Sequence, residues 1–340
     1  MTWVSVLRER EALFRRAPSA HNTQPWTIDY RDDEIVIGAD PDRSLPGSDP
    51  SGRDLALGLG AFAETCLIVA ADAGLPVACD LSDPRRIRLV PAAERYDTIF
   101  HRADIEARRV NRGPYEPGLL DLVVLAGLEP GIVHVRSRAL AGDLAEADRW
   151  MFGTPPVARE LRAWLRLNPR DPRYDRDGLT DRALGLSRLE ARVLSAALRA
   201  YPLTRQLGLP ALLAASGQSL LRYDGSVLVL TDRGDDPRDA GRRLLRTWLR
   251  LARFGLAVHP LSQLLDCPAT AARLAGRVGA TPLAVFRVGY PRHEAARSSR
   301  LPARTDGRGE AAVQPPSQLP HSGYSPARVR ILFGDRINRS

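Results

Sequence analysis

Arg16-Ala17-Pro18-Ser19-Ala20-His21-Asn22-Thr23-Gln24-Pro25-Trp26 is the stretch on which the reading of this chain turns. It is too polar and too punctuated to be a core helix. Pro18 and Pro25 bracket small and amide-bearing residues, which describes a rigid loop with many donors and acceptors presented to one side. Trp26 and the alternation through Thr27, Ile28, Asp29 and Tyr30 begin a strand. A loop of this kind suits holding a flat, polar ligand against an aromatic wall.

Bulk properties bound what that ligand is. The chain has 340 residues, 44% apolar and 26% charged, room for one large domain or two small ones with an ordinary core. It contains no lysine, so all 49 basic residues are arginine. Schiff-base and lysine general-base chemistry are thereby excluded, and an anion site must use arginine forks or backbone amides. The net charge is +9, yet nine Arg and four acids fall from Arg292 onward, leaving only +4 on the body. That distribution argues against nucleic acid as a partner. Cys66, Cys79 and Cys267 are far apart and read as buried thiols. His21, His101 and His259 lack metal-ligand spacing and read as structural, so no metal is expected. Arg8, Glu9, Arg10 and Glu11 argue against a signal peptide. The most apolar run, from Leu55, is broken by Glu64, so no membrane segment and a cytoplasmic location are expected.

In chain order, the pattern predicts a helix over Val4–Arg16, a strand over Glu34–Gly38, a long buried helix over Arg53–Ala73 and a strand over Ile87–Val90. Tyr96–Arg109 reads as helix, Leu119–Ala126 as helix or strand, and Ile132–Val135 as a short strand. Two helical patterns in Leu140–Arg166 are split by Gly153-Thr154-Pro155-Pro156. Asn168–Leu186 is a long loop, the kind that serves as a lid. Ser187–Ala200 is a helix, Val227–Leu230 a strand, Arg238–Arg253 a long helix and Pro282–Val288 a strand. Residues 303–340 read as a disordered tail. One order recurs: strand, Asp-Pro loop, long helix, Gly-Leu, strand. It occupies Ile35–Val90 and again Val227–Val288, which points to a duplication.

Three further segments carry chemistry. Arg108-Arg109-Val110-Asn111-Arg112-Gly113-Pro114-Tyr115 places arginines where they can share one anion. Gly255-Leu256-Ala257-Val258-His259-Pro260-Leu261-Ser262 offers backbone donors. Ser298-Ser299-Arg300-Leu301-Pro302 adds a basic segment after the last strand. With the opening loop, these resemble the signature of the FMN-dependent nitroreductase superfamily, in its tandem, single-chain branch. The resemblance departs at Val110, where a hydroxyl is usual, and at Ser262, where an acid is common. It implies an α+β, nitroreductase-like fold with two related halves forming an internal pseudo-dimer: residues 1–100, and residues 101–302 with a lid at about 168–186. Pro18, Ser19, Ala20 and Asn22 would contact FMN from one side. Arg108, Arg109 and Arg300 would hold its phosphate and ribityl, and Arg112 its pyrimidine edge. Pro260, Leu261 and Ser262 would run along N5. The loop lies in one half and the arginine segment in the other, so one complete site is expected in a monomer. The implied activity is an oxidoreductase passing two electrons from a nicotinamide cofactor (NADH or NADPH) to a nitro compound, quinone or similar small acceptor. The alternative is an FMN-binding or FMN-sequestering protein with a closed lid. No catalytic side chain is assigned.

Overall fold

Two four-stranded antiparallel sheets and two long helices organise the chain. The computed structural model describes residues 2–208 and 218–303; the tail expected beyond residue 303 lies outside them. The strands are β1 (Trp26–Tyr30), β2 (Ile35–Ala39), β3 (Val77–Asp80), β4 (Ile87–Pro91), β5 (Ile132–Arg136), β6 (Leu165–Arg166), β7 (Leu179–Thr180), β8 (Ser226–Thr231), β9 (Ala257–Pro260) and β10 (Pro282–Gly289). The first sheet runs β1-β2-β4-β3 and the second β5-β8-β10-β9. Taken in sequence order within each sheet, the two arrangements are the same. A long helix, Arg53–Asp72 in one case and Pro237–Arg253 in the other, joins the second strand to the third. Content is mixed, α+β, as expected.

The first long helix is buried without interruption from Leu57 to Ala70, the pattern of a core helix rather than a surface one. By length and composition it is apolar enough to cross a membrane, yet most of it is covered by protein. Phe62 stacks on Trp26 of β1 at 4.6 Å. Its one buried carboxylate, Glu64, receives Arg242 at 2.9 Å and Arg246 at 3.2 Å from the second long helix, and the Tyr96 hydroxyl at 2.7 Å. Burying that charge is tolerable because two guanidinium groups and a hydroxyl replace its water.

The two helices cross at glycines. A Cβ on Gly60 would lie 1.8 Å from the carbonyl oxygen of Arg238, and one on Gly241 would lie 2.2 Å from that of Leu57. Each glycine therefore meets the residue three positions before the other glycine. No side chain fits there, and the backbones touch.

Some boundaries differ from the expected ones. Val4–Arg16 is two helices, Trp3–Arg8 and Glu11–Phe14. The turn between them lets Glu11 enter the core, where it pairs with Arg15 at 2.6 Å and accepts from Tyr30 at 3.1 Å. The expected helix at Tyr96–Arg109 is confined to Arg102–Ala107, started by a His101–Asp104 capping box. Leu122–Ala126 is helix. Edge strands β3 and β9 and the helix Pro268–Val278 had no counterpart in the sequence reading. Asn168–Leu186 is not all loop: it holds β7, paired in parallel with β6, and a helical turn at Asp181–Leu184. Cys66 and Cys267 are buried, but Cys79 only partly so.

Candidate functional site

The opening loop contains three non-glycine residues with left-handed backbone: His21 (φ 47°), Asn22 (φ 56°) and Gln24 (φ 52°). Such conformations cost of order 1–3 kcal/mol each and persist only when neighbours over-determine them. Here the neighbours are identifiable. Asn22 Nδ2 donates to the carbonyls of Gly178 and Ser299, both at 3.0 Å, and its Oδ1 accepts from Arg300 at 2.9 Å. Gln24 Nε2 donates to the Arg176 carbonyl at 2.9 Å, and its Oε1 accepts from the Leu301 N–H at 2.8 Å. The Gln24 N–H caps onto Ser19 Oγ at 2.9 Å. The two amide side chains of the loop thus face protein. They staple three segments together: residues 16–24, the far end of the 168–186 segment and residues 298–301.

These segments wall a cavity of about 440 Å³. Pro18, Ser19, Ala20 and Asn22 line it, as do Arg108, Arg109 and Arg112 from the segment after Ala107, Pro260 and Ser262 after β9, and Arg300. Leu261 does not. Its side chain is fully buried in the second core, and its N–H donates to the Val285 carbonyl at 2.8 Å. A strand-like alternation at Pro260–Ser262 turns Leu261 away from its neighbours. Apolar residues fill the rest of the wall, among them Met151, Phe152, Leu161 and Leu184, and the Trp248–Phe286 edge-to-face pair.

The cavity has two charged poles. At one, Arg16, Arg108, Arg109, Arg297 and Arg300 converge. Burial, then Arg297 and Arg109, push Arg16 down, with Glu106 opposing. Burial, then Arg16, push Arg108 down to about 10. Arg300 is driven well below its ordinary value by burial and then by Arg16 and Arg108. Clustered guanidinium groups that depress one another are a site for an anion. Two donors there are buried with no partner, Arg16 Nε and Arg109 Nε, and the indole N–H of Trp248, whose ring lies 5.9 Å from Arg108 Cζ, is also unpaired. Arg300 differs. Its donors go to the carbonyls of Arg15, Arg16, Ala17 and Ser299 and to Asn22 Oδ1. It builds the loop and has nothing left over for a ligand. At the other pole, Asp54 and Asp266 face the cavity and share Arg53, each at 2.8 Å. One guanidinium cannot neutralise two carboxylates fully. Burial, then Asp54, push Asp266 up to about 7.

The 168–186 segment closes the cavity with Leu179 and Leu184. Its anchor is Asp177, 1% exposed, which receives Arg173 at 2.7 Å, Arg166 at 2.9 Å and Arg43 at 3.1 Å. All three guanidinium groups lie 5.4–5.9 Å from the Trp164 ring, within cation–π range. Gly178 follows with φ +74°, where a Cβ would meet the Trp164 carbonyl at 2.4 Å.

Sequence reasoning passed over Arg16, Arg297 and His259 as site residues. Arg16 opens the quoted stretch and Arg297 precedes the closing basic segment by one residue, so adjacency to the motifs was the available signal. Among the described residues no group of three or more His, Cys, Asp or Glu gathers as a metal site.

Comparison with known proteins converges on one group. NAD(P)H nitroreductase acg of Mycobacterium tuberculosis, a provisional name, is 33% identical over 132 residues, 36% of this chain. A second provisionally named NAD(P)H nitroreductase of that organism is 31% identical over 107 residues, 29% of this chain. NAD(P)H nitroreductase PigM of a Serratia species, also named provisionally, is 24% identical but aligns along 88% of this chain and 91% of its own length. All three relatives carry the name NAD(P)H nitroreductase, and it is to proteins of that name that this chain is similar. It spans 40% of acg's length and 31% of the second relative's in these matches. No protein-family model matches it. Within the superfamily reading, the loop, the arginine segment and the closing segment, far apart in sequence, form the walls of one cavity.

Proposed function

We propose that the cavity binds FMN and that the chain is an FMN-dependent oxidoreductase, drawing on NADH or NADPH and reducing a nitro compound, quinone or similar small molecule. The observation that carries this reading is the arginine pole. Its unpaired Arg16 Nε and Arg109 Nε are buried donors awaiting acceptors, and a phosphate monoester supplies both the charge and the oxygens they lack. The apolar walls and the volume suit a flat ring system. Bound there, FMN supplies the two-electron chemistry. The chain's residues do the rest. Arg16, Arg108 and Arg109 neutralise the anion. Arg112, half-buried and pushed down to about 10 by desolvation, places positive charge in the wall. Pro18, Ser19 and Ala20 shape one face, and Pro260 and Ser262 the other. Leu179 and Leu184 exclude water.

The reading includes an internal pseudo-dimer, with halves at 1–100 and 101–302. Supporting it are the shared strand order and the reciprocal glycine crossing. It also includes a monomer acting in the cytoplasm without a nucleic-acid or membrane partner.

A visible spectrum of purified protein, with the released cofactor identified, tests the central claim. A colourless protein that cannot take up FMN would sink it. The Asp177 anchor favours a second reading, FMN held under a closed lid without turnover. Steady-state NAD(P)H oxidation with menadione or a nitroaromatic separates the two: flavin bound without oxidation leaves the second.

A further inference from the structure

Arg287 is the largest fully buried side chain described, at 2% exposure. Among the described residues it has no carboxylate partner. It lies on β10 directly across from His259 of β9. Its Nε donates to His259 Nδ1 at 3.1 Å. Its terminal nitrogen donates to the carbonyls of Arg112, at 3.0 Å, and Gly113. Its Cζ lies 4.2 Å from the centroid of the Tyr115 ring, and the Tyr115 hydroxyl is tied to the Asn111 carbonyl at 2.7 Å. The guanidinium cannot shift.

A guanidinium has donors only. The nitrogen that accepts from it must carry a lone pair, so the His259 ring is neutral, with its proton on Nε2. His259 also lines the cavity, beside Pro260 and Ser262. Burial, then Arg112 and Arg287, hold its imidazole well below the ordinary range. The charged groups acting on it are thus both cations.

We propose that Arg287 locks His259 as a permanently neutral Nε2–H donor in the cavity wall, and that this donor receives an oxygen or nitrogen acceptor on the edge of the bound flavin. The ligand part rests on the FMN reading above; the locked tautomer does not. In this role His259 binds and never titrates, while Arg287 is a positioning residue.

The test uses full-length, flavin-free protein labelled with ¹⁵N-histidine. Long-range ¹H–¹⁵N correlation is recorded between about pH 5.5 and about pH 8, the window in which an ordinary histidine changes charge. One of the six histidines, identified by its disappearance in His259→Gln, is expected to show a bare Nδ1 and a protonated Nε2 throughout. Adding FMN is expected to shift that Nε2–H resonance. His259→Phe is expected to weaken FMN binding about tenfold, and His259→Gln, which keeps an N–H donor, to recover most of it. An imidazolium signal within the window overturns the lock. Unaltered FMN affinity in His259→Phe overturns the donor role. Wild-type protein that binds no FMN overturns the functional reading and the ligand named here, whatever the tautomer. Arg287→Gln, if it folds, is expected to return His259 to ordinary titration; should it not fold, the wild-type titration and the His259 pair still decide.

Discussion

Two arginines at the same pole of the cavity have opposite relations to stability. Arg16 sits among like charges with a buried, unpaired Nε and a single weak bond to the Ser298 carbonyl at 3.3 Å. Arg16→Met is expected to weaken FMN binding by 10- to 100-fold, about 1.5–3 kcal/mol for a charged hydrogen bond, while the flavin-free protein melts no lower than wild type. Flavin fluorescence titration and an apo thermal melt check both halves. Arg300→Ala is expected to fail in both respects, because it strips donors from three successive carbonyls and from Asn22. A loss of about 3–5 kcal/mol follows from breaking a buried network. At the opposite pole, Asp266 is raised by burial and Asp54. The folded protein keeps this proton after the unfolded chain has released it. Stability should therefore fall as pH rises from the ordinary aspartate range to about 7, then level off. Asp266→Asn should remove that slope, melting close to wild type under acid conditions and above it at about pH 8. The sequence placed ten of eleven candidate residues on the cavity because the motifs mark segments. The hydrogen-bond partners of those residues were not legible. Nothing in the letters tells whether the donors of Asn22, Gln24 or Arg300 point at ligand or at protein carbonyls. Arg16 looked like any solvated arginine beside a loop.

Elements show where close approach and anchoring set the limits. In an ordinary helix, Gly→Ala is worth about 1 kcal/mol of stabilisation. At Gly241 the new Cβ would meet the Leu57 carbonyl at 2.2 Å, and two backbones would have to separate. Overpacking of that kind costs about 3 kcal/mol or more, so Gly241→Ala is expected to lower the urea midpoint. An unchanged or higher midpoint would mean that the crossing is not tight. The 168–186 segment hangs on Asp177. Its carboxyl, raised by burial but pulled further down by Arg173 and Arg166, is held below the ordinary range. The anchor should therefore hold at neutral pH and fail only when acid reaches that lowered value. Asp177→Asn leaves three guanidinium groups around a neutral amide, a loss of about 3–5 kcal/mol. It is expected to speed proteolytic cleavage within 168–186 and to hasten flavin release. The long helices and central strands were legible because their apolar runs are long. The edge strands β3 and β9 are four residues each, too short and too polar for alternation to register. Pro260 ends β9 where no donor is needed.

At the scale of the molecule, one loop and one arginine segment make one site, so a single chain should hold a single flavin. Light scattering with absorbance detection is expected to report a monomer with one FMN; a flavin shared between two chains would contradict the internal arrangement. The recurrence of strand, long helix and strand was legible from the repeated Asp-Pro and Gly-Leu punctuation. The crossing of the two helices was not, since Gly58, Gly60 and Gly241 look alike in sequence and only the second and third meet backbone within 3 Å. The closing segment has a consequence for biosynthesis. Arg300 and Leu301 complete the loop that begins at Arg16, so the ends of the described fold are sewn together. A growing chain cannot form the cavity until roughly its three-hundredth residue is free of the ribosome. At about 5–20 residues per second, that is about 15–60 seconds after Arg16 is joined. Through that interval Asn22 and Gln24 lack the partners that residues 299–301 supply, and any flavin is enclosed only once that segment has docked.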